Sequence, residues 1–201
     1  MTEQPRRQIV VGITGASGAP YARRLVDCLC AADCDVHLIV TPNGKRLLAD
    51  ELEVHEITPR SLLGRETPRL NLHNYKDVGD VLGSGGFRID AMIICPCSGN
   101  TLAAVAAGLA ENLLDRAAAV TLKEARRLIV VPREMPMSRI EMLNCLRLQE
   151  AGAVICPPSP GYYMRPQSVA DLVDFVVGKL LDLVSVEHQL NTRWKPRRDS
   201  L

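Results

Sequence analysis

Three stretches of the chain put hydroxyls, amides and small residues where a polar ligand would be held. Residues 9–21 read IVVGITGASGAPY. The β-branched run Ile9, Val10, Val11 and Ile13 has the character of a buried strand, and it empties into Gly15-Ala16-Ser17-Gly18 with Pro20 at a helix start. A strand, a small-residue turn and a helix start together aim backbone N–H groups at one point, which suits an anion and most naturally a phosphate. The spacing Gly12-x-x-Gly15-x-x-Gly18 differs from the G-x-G-x-x-G of dinucleotide folds, and Asp33 and Asp35 are weak candidates for a ribose-binding acid. A mononucleotide is therefore the expected ligand; a tight turn carrying no ligand is the plain alternative. Thr41-Pro42-Asn43-Gly44 and Ser98-Gly99-Asn100-Thr101 repeat the logic, each with a hydroxyl at the end of an apolar segment and a helix to follow. Thr41 is either a plain N-cap or a ligand contact, and capping alone accounts for two of the three polar residues Ser98, Asn100 and Thr101.

The surrounding periodicity supplies the elements that must position these residues. Helical spacing of apolar side chains predicts helices over 20–32, 45–52, 102–107, 110–122, 140–150 and 169–184, the last capped by Ser168. Short apolar runs predict strands at the opening segment, 36–40, 91–95, 128–131 and 154–156. Five strand-then-helix repeats imply an α/β fold with a parallel, doubly wound sheet of the Rossmann or flavodoxin kind. Ligands of such sheets bind beyond the carboxyl ends of the strands, so Ser17, Thr41, Ser98, Thr101 and Arg133 belong on one rim. Residues 53–86 show no steady period; this is the part most open to rearrangement, and its Gly83-Ser84-Gly85-Gly86 end reads as a flexible loop.

Composition narrows the function classes. With 201 residues, 47% of them hydrophobic, the expectation is one domain spanning 1–201, with a core over about 8–184 and a tail over about 185–201. The formal net charge is +1 and the basic clusters are Arg6-Arg7 and the tail residues Arg193, Lys195, Arg197 and Arg198, which read as solvated ends rather than a nucleic-acid surface. No apolar run reaches the roughly 18 residues of a membrane span, and the first residues are too polar for a signal peptide, so a cytoplasmic protein is expected. The 7 cysteines are an odd set without a C-x-x-C pair and read as reduced core thiols. Cys95-Pro96-Cys97 suits neither tetrahedral zinc nor thioredoxin-like chemistry. His37, His55, His73 and His188 are not clustered, which removes the simplest metal and Ser-His-Asp sites.

Four long motifs, in order, carry a family resemblance: GITGASGAPY, CPCSGNTLAAVAAGLAENLLDRAA, VTLKEARRLIVVPREMP and PPSPGYYMRPQS. The sequence resembles the UbiX-type flavin prenyltransferases, which include the B subunit associated with hydroxyarylic acid decarboxylases, over nearly the whole chain from Gln8 to Trp194. The resemblance implies binding of reduced FMN and transfer of a dimethylallyl group from dimethylallyl phosphate to the flavin N5 and C6, giving the cofactor of a partner UbiD-type decarboxylase. It implies that Gly15, Ala16, Ser17 and Thr41, with Ser98, Gly99, Asn100, Thr101 and Arg133, form the FMN site. It places the donor phosphate on Arg116, Lys123, Tyr163 and Lys179, gives Glu51 and Glu134 to the site, and implies a homododecamer with shared sites.

The residue types make chemical sense for that reaction. Ionising an allylic phosphate builds negative charge on the leaving group, which fixed cations such as Lys123, Arg133 and Lys179 stabilise without a metal. Ring closure needs a base, for which the released phosphate, Glu134 and Glu51 are all candidates, and Ser17 either moves a proton near N5 or holds FMN through its hydroxyl. Lys123 beside Glu124 also fits a solvated helix end, and Tyr163 beside Tyr162 also fits packing. Lys179 stands where many members carry Arg, exchanging a planar fork for a point charge. Gly86 and Gly161 are smaller than the residues usual in those loops, and aromatic content of 3% leaves few rings for a prenyl pocket. Two other readings share the fold: a non-catalytic accessory subunit of a decarboxylase, and a flavin-dependent cysteine decarboxylase. Against the latter stand PREMPMS, which lacks the Asn of its P-x-M-N segment, and an early helix without His.

Overall fold

The computed structural model describes residues 6–190 and Thr192. Six strands form one all-parallel sheet: β1 (Gln8–Ile13), β2 (Asp35–Val40), β3 (Leu70–His73), β4 (Ala91–Cys97), β5 (Arg127–Pro132) and β6 (Val154–Ile155), in the spatial order β3-β2-β1-β4-β5-β6. The central strands are continuous apolar runs because both faces are covered. Ile9, Val11 and Ile13 point into one core with α1 (Ala19–Ala31), α2 (Pro42–Leu52), α3 (Pro59–Leu63) and α7 (Val169–Leu183). Val10 points the other way, into a core with α4 (Gly99–Ala106), α5 (Leu113–Lys123) and α6 (Arg139–Glu150). An ion pair between Arg24 Nε and Asp174 Oδ1 at 2.7 Å joins α1 to α7, and Arg7 donates to the carbonyls of Val184 and Ser185 at the end of α7.

The α/β, doubly wound expectation holds, with one strand more than the periodicity predicts. β3 and α3 both lie inside 53–86. Their signal is faint because β3 is a four-residue edge strand, LNLH, with Leu70 buried but Asn71 and Leu72 exposed. The Gly83–Gly86 segment is pinned rather than free: Arg116 Nε donates to the Gly83 carbonyl at 3.1 Å, and Arg126 donates to Gly85 and Phe87 at 2.7 and 2.8 Å. Two helices begin earlier than their apolar spacing suggests, α2 at Pro42 and α4 at Gly99, because Thr41 and Ser98 are themselves the N-caps. Ser168 caps α7 in a reciprocal capping box with Asp171. The basic tail cluster from Arg193 to Arg198 lies outside the described residues. No helix among the described residues is long and apolar enough to cross a membrane.

Candidate functional site

Strand order reverses between β1 and β4, and a ligand crevice opens beyond the carboxyl ends of strands at such a point. Three strand exits meet there. From β1 comes the Gly15–Gly18 turn, in which Gly18 has φ +129°, a conformation open to glycine. The amides of Gly15, Ala16 and Ser17 donate to no acceptor among the described residues. A Cβ on Gly15 would lie 2.5 Å from the Asn43 Cβ, so the start of α2 packs directly against this turn. Thr41 is buried; its Oγ1 accepts from the Gly44 amide at 3.0 Å, and its own amide donates to Ile13 at 3.0 Å. Thr41 therefore acts as an N-cap and sits beside the turn at the same time.

The second exit is that of β4. Ser98 caps α4, its Oγ 3.4 Å from the Thr101 amide and 3.2 Å from the Thr101 hydroxyl. The amides of Gly99 and Asn100 have no acceptor among the described residues, as befits the first turn of a helix. The third exit, from β5, brings Arg133: its amide donates to Cys97 at 3.2 Å and its Nε to the Ser17 carbonyl at 3.2 Å. Glu134 follows, with Oε2 3.9 Å from where a Gly99 Cβ would be. Thus Gly15, Ala16, Ser17, Thr41, Ser98, Gly99, Asn100, Thr101, Arg133 and Glu134 do share one rim.

Glu51 also reaches this rim, by a route that spacing does not reveal. From the end of α2 its carboxylate crosses to the amino end of α1, accepting from Gly18 at 3.1 Å and Ala19 at 2.8 Å. A carboxylate there complements the helix dipole. It also takes the amides at the Gly18 end of the turn, leaving the amides of residues 15–17 as the open donors among the described residues.

Tyr163 and Lys179 both lie along α7. Tyr163 lies on a 3-10 turn, Tyr162–Met164, with its ring 5.7 Å from Phe175 in an edge-on contact. Phe175 and Lys179 are one helical turn apart on α7, so Tyr163 and Lys179 stand on the same side of that helix. Burial pushes the Cys156 thiol up, and the positive charge of Lys179 offsets part of that. Tyr21, in the first turn of α1, has its phenol pushed up by burial, with the Cys95 thiol and the Tyr162 phenol adding to it, so the Tyr162–Met164 turn faces the α1 end of the rim.

Arg116 and Lys123 do not join them. Both are on α5, which runs back along the sheet, and Lys123 ends it four residues before β5 starts at Arg127. β5 is six residues long, so Lys123 sits at the amino edge of the sheet, about 20 Å from Arg133 at 3.3 Å per residue. Lys123 Nζ pairs with Glu124 at 3.2 Å, the arrangement of a solvated helix end, and Arg116 faces the Gly83 carbonyl. Asp33 and Asp35 are likewise at the amino edge, paired with Arg69, which explains why neither serves a ribose at the crevice.

Thr14 belongs to the site and escaped the reading of motifs. It is 1% exposed, its hydroxyl donates to Pro96 at 2.8 Å, and the Ser98 amide donates to it at 2.8 Å. The available signal was a lone polar residue closing an otherwise apolar strand. Open amides on two turns, the hydroxyls of Ser17 and Thr101, and one guanidinium make a donor-rich crevice, which fits a phosphate and an acceptor-edged heterocycle such as a flavin.

Residues 1–181 match the Flavoprotein family. The chain is 45% identical over 189 residues to a flavin prenyltransferase UbiX of Thermoplasma acidophilum, covering 93% of this chain and 99% of the relative. Among solved structures it is similar to AnUbiX in complex with FMN and dimethylallyl pyrophosphate, at TM-score 0.89 and 38% identity over 96% of this chain and 100% of that one. It is also similar to a dodecameric FMN-dependent UbiX-like decarboxylase from Escherichia coli O157:H7, at TM-score 0.86 and 38% identity over 94% and 100%. The strand exits that converge on the switch point are thus those of a known flavoprotein architecture, and the chain belongs to the UbiX-type flavin prenyltransferase family.

Proposed function

We propose that this protein works in the cytoplasm as a flavin prenyltransferase, joining a dimethylallyl group from dimethylallyl phosphate to N5 and C6 of reduced FMN for use by a UbiD-type decarboxylase. The observation that carries the reading is the stitched rim of Ser17, Ser98 and Arg133 at the switch point of a chain 45% identical to a named flavin prenyltransferase. Bound reduced FMN supplies the two nucleophilic ring positions. The amides of Gly15, Ala16 and Ser17, with Thr41, Ser98, Gly99, Asn100, Thr101 and Arg133, hold it. Tyr163 and Lys179 take the donor phosphate, and Arg116 and Lys123 complete its shell.

These cations stabilise the charge that grows on the departing phosphate, and a crevice closed to water keeps the allylic fragment from hydrolysis. Glu134 carries no hydrogen bond within the described chain, whereas both oxygens of Glu51 are engaged by amides. That difference favours Glu134 over Glu51 as the side chain that accepts the ring-closure proton. Because Lys123 lies about 20 Å from Arg133 at 3.3 Å per residue and Arg116 is held on the Gly83 carbonyl, we assign both to a neighbouring copy, in a homododecamer like that of the similar UbiX-like decarboxylase. The exposed apolar side chains Met135, Ile140, Met142, Leu143 and Leu146 on and before α6 support such burial between copies.

The test is direct. Protein incubated anaerobically with reduced FMN and dimethylallyl phosphate is expected to yield a flavin heavier by one five-carbon unit. No such product from folded, FMN-loaded protein overturns the proposal.

A further inference from the structure

At the switch point the ladder that joins the two halves of the sheet stops short of the strand exits. β1 and β4 pair in register from Ile9 opposite Ala91 to Gly12 opposite Ile94, and the pairing ends there. β4 is also irregular against β5 between Ile94 and Cys97. Beyond this point each strand carries a set of amides that meet no acceptor among the described residues: Gly15 to Ser17 on one side, Gly99 and Asn100 on the other.

Thr14 spans the gap. A threonine hydroxyl has one proton to donate and two lone pairs. Here the proton goes to the Pro96 carbonyl at 2.8 Å and a lone pair receives the Ser98 amide at 2.8 Å, while the Thr14 amide donates to the same Pro96 carbonyl at 3.3 Å. The linkage continues: Arg133 donates its amide to Cys97 and its Nε to Ser17, three residues past Thr14. Three strand exits are closed into one ring, and of the two side chains that close it, Thr14 is buried while Arg133 is only half-buried.

We infer that Thr14 is a positioning residue of the flavin site: its hydroxyl sets the separation and orientation of the β1 and β4 amide sets that grip one ligand between them. The inference rests on the flavin reading above. Valine fills the same volume but leaves the Ser98 amide without its acceptor and the Pro96 carbonyl without its hydroxyl donor, and an unmet buried donor is costly. The consequence falls on the geometry between the two amide sets.

The experiment compares wild type, Thr14→Ser and Thr14→Val by FMN titration, the visible spectrum of the bound flavin, and thermal unfolding of the apoprotein. Thr14→Val is expected to weaken FMN binding by about 10-fold to 100-fold and to shift the flavin spectrum, while Thr14→Ser stays within about threefold of wild type. In wild-type apoprotein, amide exchange should be slow at Ser98 and fast at Gly99 and Asn100, the latter two slowing when FMN binds. Equal FMN affinity in all three proteins, or fast exchange at Ser98, overturns the inference; the exchange measurement decides even if Thr14→Val does not fold. Wild type that fails to bind FMN overturns the flavin reading instead, and the inference falls with it.

Discussion

Glu51 sets its carboxylate on the amino end of α1, with Oε2 2.8 Å from the Ala19 amide. The contact ties the last turn of α2 to the first turn of α1 across 32 residues of sequence. α1 otherwise lacks a side-chain cap, since its N-cap residue is Gly18. Glu51→Gln keeps an acceptor but removes the charge, so stability should fall by about 1 kcal/mol, and by less at high salt. Urea unfolding of the two proteins at low and high ionic strength checks this; a variant as stable as wild type at both would show that Glu51 does not cap α1.

Gly44 is where α2 comes closest to β1. A Cβ there would lie 2.5 Å from the Ile13 carbonyl oxygen, which is backbone and cannot swing aside. Gly44→Ala must push Thr41 and Asn43 away from the Gly15 turn, at a cost of about 1–3 kcal/mol. Both the urea midpoint and FMN affinity should drop. Gly64→Ala is the contrasting case, because nothing lies within 4 Å of its Cβ and the only cost is its φ of +72°; it should leave FMN binding unchanged.

His37 is buried between β1 and β3. Its Nε2 is 2.8 Å from Gln8 Oε1, its Nδ1 is 2.9 Å from His73 Nε2, and His73 Nδ1 is 2.8 Å from Asp80 Oδ2. Gln8 Nε2 donates to Asp35, which leaves Gln8 Oε1 as an acceptor for the His37 Nε2 proton. His37 is then satisfied as a neutral ring that accepts at Nδ1, and a second proton would face the His73 donor. Burial, then the neighbouring His73, pushes His37 from 6.5 to about 4, against the opposing pull of Asp35 and Asp80. The unfolded chain takes up this proton first, so the contribution is whole above about pH 6.5 and is lost as pH falls toward about 4, some 3 kcal/mol at about 1.4 per unit. His37→Gln should remove that part of the acid sensitivity, read as the difference in unfolding free energy between about pH 7.5 and about pH 4.5. An unchanged difference would show that His37 does not titrate in this way.

What the residues disclose about themselves follows from how local their chemistry is. The central strands are legible because burial on both faces demands unbroken apolar runs, and the caps Thr41, Ser98 and Ser168 are legible because a hydroxyl must stand beside the helix it starts. β3 is not, since an edge strand with one buried residue in four carries almost no pattern. Nor are Glu51 on α1 or Thr14 across the β1–β4 gap, whose partners are set by the packing of distant segments. The position of Lys123 is the sharpest case. Its motif suggests one compact set of cations, and only the direction of α5 reveals that the set is divided.

That division leads to a test of assembly. If the donor site combines Ser17, Arg133, Tyr163 and Lys179 of one copy with Arg116 and Lys123 of another, Ser17→Ala and Lys123→Ala damage opposite halves of each site. Each variant alone leaves no intact site. Unfolded together and reassembled in equal amounts, they place an undamaged rim against an undamaged α5 in roughly a quarter of sites, by random pairing of two kinds of copy. Activity of the mixed assembly should recover toward that fraction, measured as five-carbon addition to FMN per chain, while each variant reassembled by itself stays at its own low rate. A mixture no more active than the average of its two parents would mean that one chain supplies the whole site, and would require α5 to reach the rim in a way its course along β5 forbids.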